Sequence, residues 1–447
     1  MALTTIKTGA ISDDAVTEDK IANAINTARA ANTAKDLTAL SASNLTSGTV
    51  PDARFPATLP AASAANLTSV PAANITGTLP AISATNLTNV PAANITGTLP
   101  AISGANLTNL PAGGVARNLI INGAMNVAQR SAGPTISTGF ATVDRWQTYL
   151  SGQDEVATYS QADVASGTTP YTLGFRKCFK IQNGNQTSGD GASDYFWMRY
   201  IVESQDIATS GWNYVSASSN ITLSFWVKSS VAKDFKGYLR SRDGTRQQYS
   251  FATGSLSANT WTKITKTIPG NSNLQFDTDT EANAHDGGLD INISTWFGST
   301  YSDSGTTENA WATYTSGTRI KDYDSSSWWT TDDATFEITG IQLEVGDSAT
   351  DFAHKSFAED LALCRRYYFK PHVDNSILPA YQYHSSYKMT VYQFPVQMRA
   401  VPTCVATWGG GSHTQHDLSK EAFKAYVASA VTESGYYMNS LTAEAEL

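Results

Sequence analysis

The chain has 447 residues, enough for two or three domains. Charged residues make up only 15%, while aromatics reach 10%, with ten Trp and twenty Tyr among abundant Gly, Ser, Thr and Asn; this reads as extracellular-type, mainly β protein rich in turns. The formal net charge of -9 and the lack of a long basic run argue against nucleic acid or an anionic membrane surface as partner.

The opening MALTTIKTGAISDD has neither a basic start nor an apolar run, so no secretory signal is expected. No stretch is apolar enough to span a bilayer, so membrane insertion is not expected either. An extracellular-looking chain of this kind fits release by lysis, as for a part of a virion, or a dedicated export machine. Cys178, Cys364 and Cys404 are far apart and lack CxxC spacing, which predicts isolated buried thiols rather than a disulfide framework or zinc ribbon.

Residues 1–35 are polar and alanine-rich, and Val16, Ile21 and Ile25 could line one face of a short helix that needs a partner to be stable. Residues 36–115 form a repeat region. Between 51 and 110 three twenty-residue copies follow each other: PDARFPATLPAASAANLTSV, PAANITGTLPAISATNLTNV and PAANITGTLPAISGANLTNL. Ile75, Leu79 and Ile82 have heptad-like spacing, but Gly77 and Pro80 lie between them and Pro71 and Pro91 flank them. Proline inside a helix costs roughly 3 kcal/mol, so a coiled coil is excluded and short extended pieces between turns remain. Each repeat has too little apolar surface to close a core alone. It must stack on its neighbours or on identical chains, which predicts a fibrous, multi-chain stem. The six Asn-Leu-Thr or Asn-Ile-Thr triplets recur because the repeat recurs, with Asn in turns.

From Asn118 the texture changes to aromatic-bearing strands, and residues 116–352 are predicted to form a β-sandwich of the jelly-roll type. ITLSFWVKSS places Ile221, Leu223, Phe225 and Val227 on one face and Thr222, Ser224, Trp226 and Lys228 on the other. DYFWMRYIV buries Phe196, Met198, Tyr200 and Val202, leaving Tyr195, Trp197 and Arg199 opposite. FKGYLRSR groups Lys236, Tyr238, Arg240 and Arg242. TFEITGIQLEV changes phase at Gly340, as a glycine bulge would. Residues 353–447 should form a small β-rich tip containing MTVYQFPV and PTCVATW. A short helix leads into it, opened by the capping box Ser356-Phe-Ala-Glu359 and carrying an apolar stripe at Phe357, Leu361, Cys364 and Tyr368.

Four segments carry a family resemblance. SGTVPDARFPATLPA with NLTNLPA resembles the stem repeats of bacteriophage tail fibres. NLIINGAMNVAQRS with VDRW resembles the opening of a fibre jelly roll, and ITGIQLEVGDSATDFAHKSFAEDLALCRRYY its end. FPVQMRAVPT and the terminal TAEAEL resemble the distal tip. The resemblance implies an elongated homotrimeric receptor-binding fibre, located on the virion tail. Its N-terminus would be held by a phage tail or baseplate protein, and its target would be a host surface glycan or outer-membrane receptor. The jelly roll also resembles carbohydrate-binding modules, whose opening and closing segments commonly hold a structural calcium. Here the corresponding positions read Asn122-Gly123-Ala124-Met125-Asn126 and Thr339-Gly340. The carboxylates that calcium needs are missing, and no cofactor is expected.

The candidate receptor-binding residues are Trp197, Arg199, Trp226, Tyr238 and Arg240 on an open sheet face, where rings stack on sugars and Arg bonds acidic groups. The alternative is that a third element or a neighbouring chain covers this face. Trp328 and Trp329 follow an Asp/Ser-rich loop and read as a second contact surface or as interface packing. His413 and His416 have weak metal-ligand spacing, and loop histidines of this kind are usually solvated. HDGGLD and DYDSSS cluster acids, but no catalytic motif is present and the stem is poor in acids. The expected function is therefore adhesion rather than catalysis. The alternatives are a tailspike enzyme degrading surface polysaccharide, or a virion whisker with no receptor role.

Overall fold

The computed structural model describes residues 23, 25–28, 118–276, 287–371, 376–377, 381–409, 413–428 and 437–447. The chain divides into two units, Met1–Pro100 and Ala101–Leu447. In the first, Asn23 and 25–28 are helical and Ile25 is exposed. The repeat region with Gly77 and Gly97 lies outside the described residues, as do His285 and Asp286 of HDGGLD and the side chains of His413 and His416.

The second unit contains a two-sheet antiparallel sandwich. The six-stranded sheet runs β1 (Gln147–Ser151), β4 (Tyr195–Glu203), β9 (Gly287–Phe297), β6 (Asp234–Ser241), β7 (Gln247–Ser255), β10 (Trp311–Thr313). The five-stranded sheet runs β2 (Thr158–Asp163), β3 (Lys177–Gln182), β11 (Thr335–Val345), β5 (Asn220–Ser229), β8 (Thr262–Pro269). Period-two alternation explains which residues meet. Phe196, Met198, Tyr200 and Val202 of β4 and Ile291 and Ile293 of β9 face Ile221, Leu223, Phe225 and Val227 of β5 in one buried core.

The phase change in β11 is a bulge. Its register to β5 shifts between Thr339 and Gln342, and Gly340 sits at φ +65 with its α-carbon turned to the Phe175 ring. The opening segment is stapled beside this bulge. Asn118 Oδ1 accepts from Leu343 N at 3.1 Å, and Ile341 N donates to Gly123 O at 2.9 Å. A Cβ on Gly123 would lie 2.1 Å from Ile341 O, which is why glycine is needed there. The NLIING motif thus has a structural job.

Helix α1 (Thr169–Thr172) precedes β3, and α2 (Ser204–Ala208) follows β4. Helix α3 (Phe357–Arg365) starts on the expected capping box, with Ser356 and Glu359 bonding each other's backbone. Of its stripe, Cys364 is buried and Phe357 is exposed, while Tyr368 has left the helix for β12 (Tyr368–Phe369). The tip adds β13 (Ser376–Ile377), β14 (Tyr381–His384), β15 (Tyr387–Gln393), β16 (Thr403–Gly409), β17 (His413–Leu418), β18 (Ala422–Ala428) and β19 (Tyr437–Glu444) in two small sheets. Phe369, Phe394, Met398, Phe423, Met438 and Leu441 fill their core.

A buried ionic hub joins tip and sandwich. Arg145, from the VDRW segment, meets Glu446 at 2.6 Å and lies 3.5 Å from the Tyr367 ring centroid; Arg130 meets Glu446 at 3.2 Å; and Arg366 meets Glu203 at 3.0 Å. The three cysteines are free and buried, and burial pushes Cys178 up to about 12 and Cys404 to about 11, so they are unreactive packing groups.

Candidate functional site: the outer face of the six-stranded sheet

Strand register sets the face out in rows. Gln147, Arg199, Asn292, Tyr238 and Ser250 stand side by side across β1, β4, β9, β6 and β7. Tyr149, Trp197, Ser294 and Lys236 form the next row, and Asp290, Arg240 and Gln248 flank the first row on its other side. Four of the sequence-predicted residues, Trp197, Arg199, Tyr238 and Arg240, are therefore brought together.

They are not all accessible. Trp197 is 8% exposed and Tyr238 0%. The chain after β9, between Gly298 and Tyr323, folds back over them. Tyr323 OH accepts from Lys236 N at 3.2 Å and donates to Ser294 O at 2.8 Å; Gln248 Nε2 donates to Thr318 O; and the Arg319 guanidinium lies 5.5 Å from the Trp197 ring. The expectation of an open Trp197/Tyr238 platform is thus corrected: a covering segment from the same chain buries both rings. Beneath it, Trp197 Nε1, Tyr238 OH, Asn292 Oδ1, Gln248 Oε1 and Arg319 Nε are buried without a hydrogen-bond partner among the described residues.

The buried rings belong to a stack. Tyr149 lies on Trp197 at 4.8 Å and 27°, Trp197 is 6.1 Å from Tyr238 at 23°, and Tyr238 is 6.4 Å from Tyr314 at 22°. Only the end members, Tyr149 and Tyr314, are partly exposed. Guanidinium groups cap these ends: Arg199 is 4.8 Å from the Tyr149 centroid and Arg240 is 4.9 Å from Tyr314.

Arg240 donates to Asp290 Oδ2 from Nε at 2.8 Å and also from Nη2, and Arg242 donates to Asp290 Oδ1 at 3.1 Å. Asp290 is fully buried, so both its oxygens are engaged from one side. Arg199 bonds Gln147 Oε1 (3.1 Å from Nε) and Tyr149 OH. Burial lowers the Arg199 pKa, and Arg240 and Arg242 lower it further against the opposing pull of Asp290 and Tyr149. For Arg240, burial alone would lower the value, but Asp290 and its neighbours raise it overall. Burial also raises the Tyr149 phenol.

Trp226 is not part of this face. It stands on the outer side of the other sheet, between Thr339 and Lys263 in register. There it lines a 230 Å³ pocket with Phe175, Phe352, His354 and Asp351. Trp328 and Trp329 are fully buried in the core. Their indole N–H groups donate to Thr335 O at 3.2 Å and Gly189 O at 2.8 Å, and Asn183 Nδ2 donates to Trp329 O at 2.6 Å. The reading of this pair as a contact surface is corrected, because satisfied N–H groups let both indoles plug the sandwich. Sequence reasoning missed Tyr149, Tyr314 and Asp290, and it grouped Arg242 with Tyr238 and Arg240 without naming it a binding residue. The alternation of Leu289, Ile291 and Ile293 with Asp290, Asn292 and Ser294 was the available signal for Asp290.

No protein-family model and no curated protein matches the chain. Among solved structures, the enzymatically active domain of tailspike protein 4 of bacteriophage CBA120 is similar over 51% of this chain and 21% of its own, at 11% identity and a TM-score of 0.26. A family 11 carbohydrate-binding module of a Clostridium thermocellum cellulosomal cellulase is similar over 50% of this chain and 99% of its own, at 16% identity and a TM-score of 0.21. A family 4 carbohydrate-binding module covers 45% of this chain and 94% of its own, at 10% identity and a TM-score of 0.22.

Proposed function

We propose that the chain is a tail fibre of a bacteriophage, an adhesin whose β region binds a host surface glycan. In this reading residues 1–35 dock on a tail or baseplate protein, residues 36–115 form the stem of a homotrimer, and residues 116–447 carry the binding surface. The observation behind the glycan assignment is the pair of half-exposed tyrosines, Tyr149 and Tyr314, held at the ends of a rigid ring stack beside arginine donors. Aromatic faces stack on the apolar faces of sugar rings, and fixed donors select their hydroxyl and acidic groups. Binding is favoured over cleavage because glycoside hydrolysis needs two carboxyl groups roughly 5–10 Å apart. On this face Asp290 is locked between Arg240 and Arg242, and Asp234 and Glu308 are committed to Lys236 at 3.3 and 2.9 Å.

The test is adsorption of the purified chain to cells of the bacterium its phage infects, before and after mild periodate oxidation of their surface sugars. Saturable binding that periodate abolishes, with no oligosaccharide released, is expected. Release of polysaccharide fragments would replace the adhesin reading with the tailspike enzyme, and binding indifferent to periodate would move the receptor to a protein.

A further inference from the structure

The charges of this face are not balanced. Three guanidinium groups, Arg199, Arg240 and Arg242, gather around one carboxylate, Asp290, while Asp234 and Glu308 on the same face are taken up by Lys236. Their contacts use Nε and Nη2 of Arg199 and of Arg240, and Nη1 of Arg242. A guanidinium has five N–H donors in a planar fork. The Nη1 groups of Arg199 and Arg240 and the Nη2 group of Arg242 are therefore left as donors without a protein acceptor among the described residues. Arg199 stands two strands from Arg240, roughly 10 Å across the sheet at the usual strand spacing, with Asn292 and Asp290 of β9 between them. Long side chains on the two outer strands can close on one ligand group from both sides.

The chain as a whole carries -9, so this cationic patch runs against its general charge. The patch is also held in place. Arg242 lies against Gly287, where a Cβ would come within 2.8 Å of its Cδ, and the Gln147 side chain and the Tyr149 ring fix Arg199. Donors already ordered lose less conformational entropy on binding.

Resting on the glycan reading above, we propose that the site selects anionic saccharides. A carboxylate, phosphate or sulfate group of the sugar docks between Arg199, Arg240 and Arg242, and the ring carrying it or its neighbour lies against Tyr149 or Tyr314. Forked donation from arginine matches the paired oxygens of these groups, which lysine would not reproduce. Nucleic acid shares the phosphate chemistry, but the strongly acidic remainder of the chain repels a long polyanion.

The experiment uses the full chain on a glycan array in which each acidic saccharide is printed beside its carboxyl-reduced, dephosphorylated or desulfated counterpart. The acidic member of bound pairs should bind at least tenfold more tightly, and the advantage should shrink several-fold between about 0.05 and 0.5 M salt. Arg199→Gln and Arg242→Gln should each cut acidic-glycan binding about tenfold per folded molecule and bring the acidic member of each pair close to its neutral counterpart, with a lower melting temperature for Arg242→Gln because the buried Asp290 loses a partner. Which pairs show the effect separates carboxylate from phosphate and sulfate. Equal binding of acidic and neutral members, or a variant that binds as before, overturns the anion assignment while leaving the glycan reading intact. Duplex DNA binding as tightly as the best saccharide also overturns it. A chain that binds no saccharide on the array overturns the glycan reading, and the anion assignment falls with it.

Discussion

Asp144 shows how single residues set the conditions under which this fold holds. It is buried beside Arg145, and burial pushes its carboxyl from the usual 3.8 up to about 6, against the hydrogen bonds from Gln129 and the charge of Arg130. The folded value is the higher one, so the protonated form is favoured by folding. This contribution is fully present below the unfolded value near 4 and is lost as pH rises through about 6. A two-unit shift corresponds to about 3 kcal/mol at most. Asp144→Asn removes the titration and keeps the shape. Its stability relative to the natural chain should therefore improve as pH is raised from about 4 to about 7, read by denaturant melts at each pH. A stability difference flat across that window would contradict the burial of this carboxyl.

At the scale of the element, β4 and β5 were legible from alternation alone, because one face of each is continuous apolar core, and β6 from Lys236, Tyr238 and Arg240 alternating with the buried Phe235 and Leu239. The bulge at Gly340 and the capping box at Ser356 were legible because glycine at positive φ and a Ser/Glu pair three residues apart each have a local mechanism. What covers an outer face has no local signature. The segment between Gly298 and Tyr323 is polar and loop-like, yet its tyrosines and Arg319 bury Trp197 and Tyr238, and the strand pattern of β6 is the same with or without it. Trp328 and Trp329 misled for the same reason, since their surroundings in sequence are Asp and Ser while their partners come from Asn183 and Gly189. Trp329→Ala should cost about 3–5 kcal/mol of stability, as large aromatic truncations do. Urea melts should register that loss while glycan affinity per folded molecule stays unchanged. A variant that melts normally but fails to bind would return this indole to the surface.

Across the molecule, the sandwich and tip are tied by the segment that carries Glu446. Its carboxylate is almost fully buried between Arg145 and Arg130, at 2.6 and 3.2 Å. Removing one partner of a buried pair leaves an uncompensated charge and costs about 3–5 kcal/mol. Glu446→Ala should therefore destabilise the sandwich as well as the tip, seen as loss of protection in both regions by hydrogen exchange. Protection lost in the tip alone would mean that Arg145 is not held by this contact. The central claim, adhesion through the outer face of the six-stranded sheet, is tested most directly by measuring glycan binding and thermal melting together on Tyr149→Ala and Tyr238→Ala. The account predicts that Tyr149→Ala melts nearly as the natural chain does and loses several-fold in affinity. Tyr238→Ala should melt lower by an amount matching about 3–5 kcal/mol. Unchanged binding by a well-folded Tyr149→Ala chain would contradict it.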